Sequence, residues 1–440
     1  MPLPPTEAVS GSAGGGTRPQ PDWPLADWLA WQERLNPRAI ELGLERSRIV
    51  AGRLGLLTPA AVTATVGGTN GKGSSVALAD GIWRAAGYRV GRYSSPHLLR
   101  YNERIVIDGH EATDDAICRA FAAINVARGE LPLTYFEFGT LAALWLFREA
   151  RCDVQVLEVG LGGRLDAVNI VDADAALVTN IGLDHLDWLG PDREAIGFEK
   201  AGIFRNGRPA ICAEQAPPAS LGAHAAAIGA DWRQAGVAFD VTRGASNWHW
   251  RSAVTATEWR DLPAPALPGA IQIDNAGGVL ALVDALSDRL PVTRAAIDGG
   301  LRTLTLAGRF ERRGQLIFDV AHNAESARVL ADNLRAMPVS GRTRLVLGVL
   351  SDKPVAEVCR ALAPVVDAVY CARLPPPRGL GDDALLTAAH ASGMVARACG
   401  TVADALRAAR ADAAGDDRIV VCGSFLTVAE GMQLQGGSQE

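Results

Sequence analysis

The chain has 440 residues, 48% of them hydrophobic and 21% charged, with a formal net charge of −6, a globular composition with material for two or three domains. Lys and Arg are scattered and outnumbered, which leaves no electrostatic footprint for nucleic acid. No apolar run approaches the ~18 residues that span a bilayer.

Residues 1–20 are rich in Pro, Gly, Ser and Thr and hold no apolar signal core, so they read as a disordered tail. Without a leader or a membrane span, the expected compartment is the cytoplasm. A β-branched run at 62–66 leads into a Gly-rich turn at 67–73. A helix follows, with Val76, Ala79, Ile82, Trp83 and Ala86 at helical spacing and Gly87 placed to end it. The next strand is expected at 88–94, which completes a βαβ unit. Aliphatic runs without alternation at 153–159, 175–179 and 209–212 predict parallel strands covered on both faces. The stretch 215–267 is less regular; it holds Trp232, Trp248, Trp250 and Trp259 and reads as a short antiparallel hairpin region. A helix over 275–290 closes this block, and 291–308 reads as a join.

From residue 316 the α/β rhythm restarts, with strands at 316–320, 344–350, 368–373 and 418–422 and helices at 325–337 and 401–413. The expected fold class is therefore α/β. A P-loop-containing, doubly wound, mostly parallel sheet domain over 21–292 precedes a smaller Rossmann-like α/β domain over 293–432, with a short tail at 433–440. Seven cysteines, an odd number with no CxxC pair, fit reduced thiols better than a disulfide framework or a zinc cluster.

The strongest chemical signal is Gly68-Thr69-Asn70-Gly71-Lys72-Gly73-Ser74-Ser75, set between a strand and a helix. Glycines permit a tight turn and expose bare N–H groups, the helix start adds the positive end of its dipole, Lys72 reaches phosphate and Ser74 offers a hydroxyl. This is a nucleotide-binding loop, although Val66 stands where the usual spacing has Gly, and Gly73 where it has Ser or Thr. A Gly-rich loop without a ligand is the bland alternative. Glu158 lies at the C-terminal end of a predicted strand, where ligands collect in open α/β sheets. An unpartnered acid there is costly. Taken alone, His185 reads as a solvated loop histidine, Ser95 as a turn residue before Pro96, Lys200 as a surface lysine, and Phe136 as an ordinary core aromatic.

The combination says more than its parts. After the P-loop come Tyr93-Ser94-Ser95-Pro96-His97-Leu98, then Leu157-Glu158-Val159-Gly160-Leu161-Gly162-Gly163-Arg164-Leu165-Asp166-Ala167. Thr179-Asn180-Ile181-Gly182-Leu183-Asp184-His185 and Phe198-Glu199-Lys200-Ala201-Gly202-Ile203 follow. Leu306-Ala307-Gly308-Arg309-Phe310-Glu311 and Phe318-Asp319-Val320-Ala321-His322-Asn323 complete the series. From about residue 23 to 430 the chain resembles the bifunctional dihydrofolate/folylpolyglutamate synthases of the Mur ligase superfamily.

That resemblance implies an ATP-dependent acid–amino-acid ligase. Its substrates would be ATP, dihydropteroate, reduced folates and L-glutamate, and it would be a monomer with no nucleic-acid or membrane partner. It implies ATP contacts from Thr69, Asn70, Gly71, Lys72, Gly73, Ser74, Asn275, Arg309, Asp319 and His322. It implies two Mg2+ ions held by Ser95, Glu158, His185 and a carbamylated Lys200, with Lys72, Glu158, His185, Lys200 and Arg309 as the catalytic set. The pterin would meet Glu41, Leu42, Gly43 and Leu44; Thr134, Tyr135, Phe136 and Glu137; and Leu165, Asp166 and Ala167. Two departures from the pattern, Ile273-Asp274 before Asn275 and Ala324 after Asn323, bear on local loop shape. A cell-wall ligase acting on a uridine-linked substrate would need a larger N-terminal domain than the ~60 residues ahead of the P-loop.

Overall fold

The computed structural model describes residues 19–20, 22–36, 40–244 and 247–436. Of the tail expected over 1–20, only the last two residues are among those described. Residues 433–436, read as tail, belong instead to the helix Phe425–Gly436, and 437–440 lie outside the described residues.

Eight strands form the first sheet: β1 (Val62–Gly67), β2 (Val90–Tyr93), β3 (Ile105–Ile107), β4 (His110–Glu111), β5 (Val154–Glu158), β6 (Ala175–Val178), β7 (Pro209–Cys212) and β8 (Asp231–Gln234). Their order is β4-β3-β2-β5-β1-β6-β7-β8. β2 to β3 and β3 to β4 are antiparallel pairings, and the rest are parallel. Every residue of β1, β5 and β6 is buried. That explains why these strands show no alternation: helices cover both faces. One face carries Leu25–Leu35, Glu45–Leu54, Asp114–Arg128 and Tyr135–Glu149 over a core that includes Trp28, Phe121, Phe138 and Phe147. The other carries Lys72–Ala85, Ile271–Ala285 and Arg294–Thr303 over Val76, Ile82 and Trp83.

The irregular stretch contains the expected antiparallel element, β9 (Phe239–Arg243), β10 (Asn247–Ser252) and β11 (Glu258–Pro263), in the order β11-β10-β9. Trp248 and Trp250 alternate inward and are fully buried, and the Trp250 indole N–H donates to the Gly277 carbonyl at 3.0 Å. The closing helix starts at Ile271, four residues earlier than expected, and stops at Ala285. The segment read as a join holds a further helix, Arg294–Thr303, capped by Thr293, whose hydroxyl accepts the Ala296 N–H at 3.2 Å. Gly300 sits flat on the P-loop helix, and a Cβ there would fall 2.9 Å from the Ile82 amide nitrogen. The segment read as a join thus holds a close helix crossing at Gly300, and the chain leaves the first sheet's layer only beyond Thr303.

The second sheet system comprises β12 (Glu311–Arg313), β13 (Leu316–Asp319), β14 (Thr343–Leu347), β15 (Ala368–Ala372), β16 (Ala396–Gly400) and β17 (Arg418–Cys422), in the order β12-β13-β17-β14-β15-β16. Only β12 is antiparallel to its neighbour. β16 is an edge strand with no fully buried residue, so it lacks the aliphatic run that marks the others. Leu98, from the loop after β2, packs into the second core beside Phe318, Val320 and Val428. It meets that core at Gly308, where a Cβ would lie 3.1 Å from the Leu98 side chain.

Candidate active site

The loop after β1 is built from backbone that only glycine accommodates. Gly68 has φ 141, and a Cβ there would fall 1.8 Å from the Thr179 hydroxyl. Gly71 has φ 81, and a Cβ there would fall 2.5 Å from Asn275 Oδ1. The end of β6 braces this loop from the side. Thr179 donates its hydroxyl to the Asn70 carbonyl at 2.6 Å, the Thr69 N–H donates to the Asn180 carbonyl, and the Asn70 N–H donates to Asn180 Oδ1 at 2.8 Å. The Thr69 hydroxyl is spent on Gly182.

Two lysines converge on the loop. Lys72 donates to the carbonyls of Gly68 and Thr69 at 3.0 and 3.1 Å, and Lys200 donates to Gly68 at 2.9 Å from the end of the helix Arg193–Ala201. Burial pushes both ammonium groups down. Glu158 opposes this at Lys72, whereas at Lys200 the neighbouring Lys72 charge adds to burial and the pKa falls to about 7. Lys200 is therefore a buried lysine, unlike the surface residue its composition suggests.

Glu158 ends β5 at 5% exposure, and one carboxylate oxygen accepts the Ser95 N–H at 3.2 Å. Burial raises its pKa against the nearby Lys72. Gly73 faces the space between Glu158 and Arg309; a Cβ there would lie 3.7 Å from the carboxylate and 3.9 Å from the guanidinium. His185 has a left-handed backbone, φ 53, and burial drops its pKa to about 4, so its ring is neutral at ordinary pH. Among the described residues no three His, Cys, Asp or Glu side chains form a closed metal cluster. Of the expected metal ligands, Ser95 and Glu158 meet through the Ser95 N–H, and Lys200 stands across the loop at the Gly68 carbonyl.

The second sheet system closes over this site. Arg309 lies over the Phe425 ring at 5.6 Å. Asp319, at the end of β13, accepts the N–H groups of Phe310 and Ala321 at 2.9 and 2.8 Å, and burial raises its pKa. A cavity of about 410 Å³ between the two layers is lined by Asn70, Gly71, Ser74, Asn275, Arg309 and Asp319 among others. Asn275 lies one turn inside its helix, and its amide donates to Gln272 Oε1 at 3.1 Å. His322 is not among the cavity's lining residues; its ring turns toward Asp184 at 3.5 Å.

Sequence reasoning gave no interlayer role to the residues that tie the two layers together. Glu325 accepts from Asn70 Nδ2 at 2.8 Å and from Asn180 Nδ2. Asp184 receives Lys353 at 2.7 Å and Asn323 at 3.3 Å. Burial works against ionisation of Asp184, but His322, His185 and Lys353 outweigh it and hold the carboxyl well below the usual range. Lys353 is 6% exposed in its side chain. Its only sequence signal was a charged turn between a strand and a helix.

On the pterin side, the Gly43 N–H donates to the Leu165 carbonyl at 3.3 Å, which joins the 41–44 and 165–167 segments. Phe136 packs over Gly160, close to the Asp166 carboxylate. Asp166 accepts the N–H groups of Leu161 and Val168, and burial lifts its pKa to about 6. Glu41 is paired with Arg46, and Leu44 precedes the helix Glu45–Leu54. Thr134 and Glu137 form the capping box of Tyr135–Glu149, and Glu137 also takes Ser47 and Arg46, so both side chains are committed to structure.

Family models match two stretches: the Mur ligase middle domain over residues 66–217 and the Mur ligase glutamate ligase domain over 308–425. The dihydrofolate synthase/folylpolyglutamate synthase of Escherichia coli (strain K12) is 47% identical over 419 residues, covering 94% of this chain and 96% of that protein. The chain belongs to the dihydrofolate synthase/folylpolyglutamate synthase family of Mur ligases. A member from Haemophilus influenzae is 39% identical over 430 residues, covering 92% of this chain and 96% of its own. Among solved members, E. coli FolC in complex with DHPP and ADP superposes with a TM-score of 0.91 at 46% identity, covering 96% of this chain and all of that one. A bifunctional synthase with Mn, AMPPNP and L-glutamate bound gives 0.88 at 46% identity, covering 95% and 99%. The α/β fold class expected from the sequence is that of these ligases. No helix of the described residues is long and apolar enough to cross a membrane.

Proposed function

We propose that this chain ligates L-glutamate to dihydropteroate, giving dihydrofolate, and adds further glutamates to reduced folates through the γ-carboxylate. The observation that carries the reading is the meeting of Lys72, Lys200, Glu158 and Arg309 around one P-loop, beside the Phe136–Asp166 pocket. An acceptor carboxylate oxygen attacks the γ-phosphorus of ATP, the β–γ bond breaks and ADP leaves. The amine of glutamate attacks the resulting acyl phosphate, and the tetrahedral intermediate expels phosphate. Lys72 and Arg309 neutralise charge on the transferring phosphoryl group, and the P-loop amides orient it. Ser95, Glu158, His185 and Lys200 are the residues that would hold two magnesium ions, which supply further charge neutralisation when bound.

A lysine whose pKa sits near 7 has a neutral fraction able to add CO2, losing a proton to become a carbamate, and this supports carbamylation of Lys200. Asp319 and Asn275 serve the nucleotide from the cavity wall. Closure of the second layer excludes water that would hydrolyse the acyl phosphate. We read the protein as a cytoplasmic monomer without nucleic-acid partners, with the first domain running to the end of the helix at Thr303. ADP release should appear with MgATP, L-glutamate and either dihydropteroate or tetrahydrofolate, and Glu158→Ala should abolish both. Turnover with tetrahydrofolate alone would reduce the activity to chain extension.

A further inference from the structure

Arg104 is a buried cation without a carboxylate. It ends the short turn Tyr101–Arg104, just before β3, and is 9% exposed. Its guanidinium lies 5.4 Å from the ring centres of both Tyr101 and Tyr135, and its Nε donates to His97 Nδ1 at 2.8 Å. No acid among the described residues pairs with it. The adjacent Glu103 is committed elsewhere, accepting the N–H groups of Leu98, Leu99 and Arg100. Two aromatic faces offset only part of the cost of removing a charge from water, so a buried arginine in this setting is completed by an anion.

The position of Arg104 indicates which anion. Its carbonyl accepts the Ser94 N–H at 2.9 Å, next to Ser95, which bonds Glu158. Its other side meets Tyr135, the neighbour of Phe136. Arg104 also faces Tyr93, whose ring lies 6.0 Å from that of Phe136, so it borders the pterin pocket of the reading above on the side of the loop that carries Ser95. Dihydropteroate has one carboxylate, and that group reacts. A folate extended through its γ-carboxylate carries a second, unreactive α-carboxylate in the stretch just behind the reacting atom.

We propose that Arg104 binds the α-carboxylate of the terminal glutamate of a folate substrate, and so is a specificity residue for chain extension that dihydropteroate does not engage. The planar fork of arginine suits a carboxylate at this point, whereas lysine would offer a single ammonium. The proposal rests on the bifunctional reading above.

The test is equilibrium binding by calorimetry to the MgADP-loaded protein, with tetrahydrofolate monoglutamate and its α-carboxamide analogue as probes. The wild-type protein should bind the acid roughly 10- to 100-fold more tightly than the amide, as expected for a charge-assisted pair. Arg104→Gln should lose that discrimination, and Arg104→Lys should recover part of it. Equal affinities of the wild-type protein for acid and amide would overturn the proposal, even if no variant folds. So would an Arg104→Gln protein that still discriminates. Because binding is read without turnover, failure of the ligase reading shows separately, as absent ADP release.

Discussion

Lys200→Met should make the protein more stable and inactive at once. Lys200 is buried at 4% exposure, and its pKa falls from 10.5 to about 7. At 1.36 kcal/mol per unit, that shift corresponds to about 5 kcal/mol of penalty on the folded state at or below neutral pH. Methionine has similar length and no charge, so the substitution removes the penalty. It also removes the bond to the Gly68 carbonyl, which costs about 1 kcal/mol. After allowance for relaxation, the expected gain is roughly 2–4 kcal/mol, or about 3–7 °C in the melting transition of the first domain. Between pH 7 and 10.5 the folded protein holds fewer protons than the unfolded chain. Wild-type stability therefore rises with pH across that window, and the gap to Lys200→Met closes. The assay is thermal melting by circular dichroism at several pH values in magnesium-free, bicarbonate-free buffer, with ligase activity measured in parallel. Activity should fall by roughly 100-fold or more. A variant that melts below the wild type at pH 7, or a gap that widens toward alkaline pH, would refute the reasoning.

Gly68→Ala should cost roughly 1–3 kcal/mol and weaken ATP binding, because its Cβ would displace the Thr179 hydroxyl that holds the Asn70 carbonyl; calorimetric titration with ATP analogues checks this, and an unchanged affinity would contradict it. Glu325→Ala removes two bonds between the layers, so the nucleotide-free protein should open and its radius of gyration by X-ray scattering should increase. An unchanged scattering curve would show that the remaining contacts, of Asp184 with Lys353, Asn323 and His322 and of Leu98 with the second core, suffice to hold the layers together.

Much of this architecture was legible because parallel strands buried on both faces leave aliphatic runs, and β1, β5, β6, β13, β14, β15 and β17 all carry one. The P-loop was legible because a glycine turn between strand and helix has few other uses. What escaped notice had weaker chemistry. β16 is an exposed edge. The β3–β4 hairpin is too short to show a period. The helix Arg294–Thr303 hid behind Pro291 and a glycine pair whose role is packing. At the site, the motifs brought out Glu158, Arg309 and Asp319, but the partners that depend on long-range closure carried no local signal. Glu325 looked like any acid in a first helical turn, and Lys353 like any turn lysine. Thr134 and Glu137, expected beside the pterin, carry a further duty that their motif did not announce, the cap of their own helix.

The helix Arg294–Thr303 also sets a leash on the second layer. Its glycine crossing anchors Thr303 to the P-loop helix, and residues 304–309 are all that separates this anchor from Arg309. Fully extended, that span reaches about 20 Å. However far the second layer swings open, the backbone of Arg309 stays within this radius of Thr303, which is itself fixed to the P-loop helix. Rejoining is then a local search at high effective concentration, not a fresh encounter.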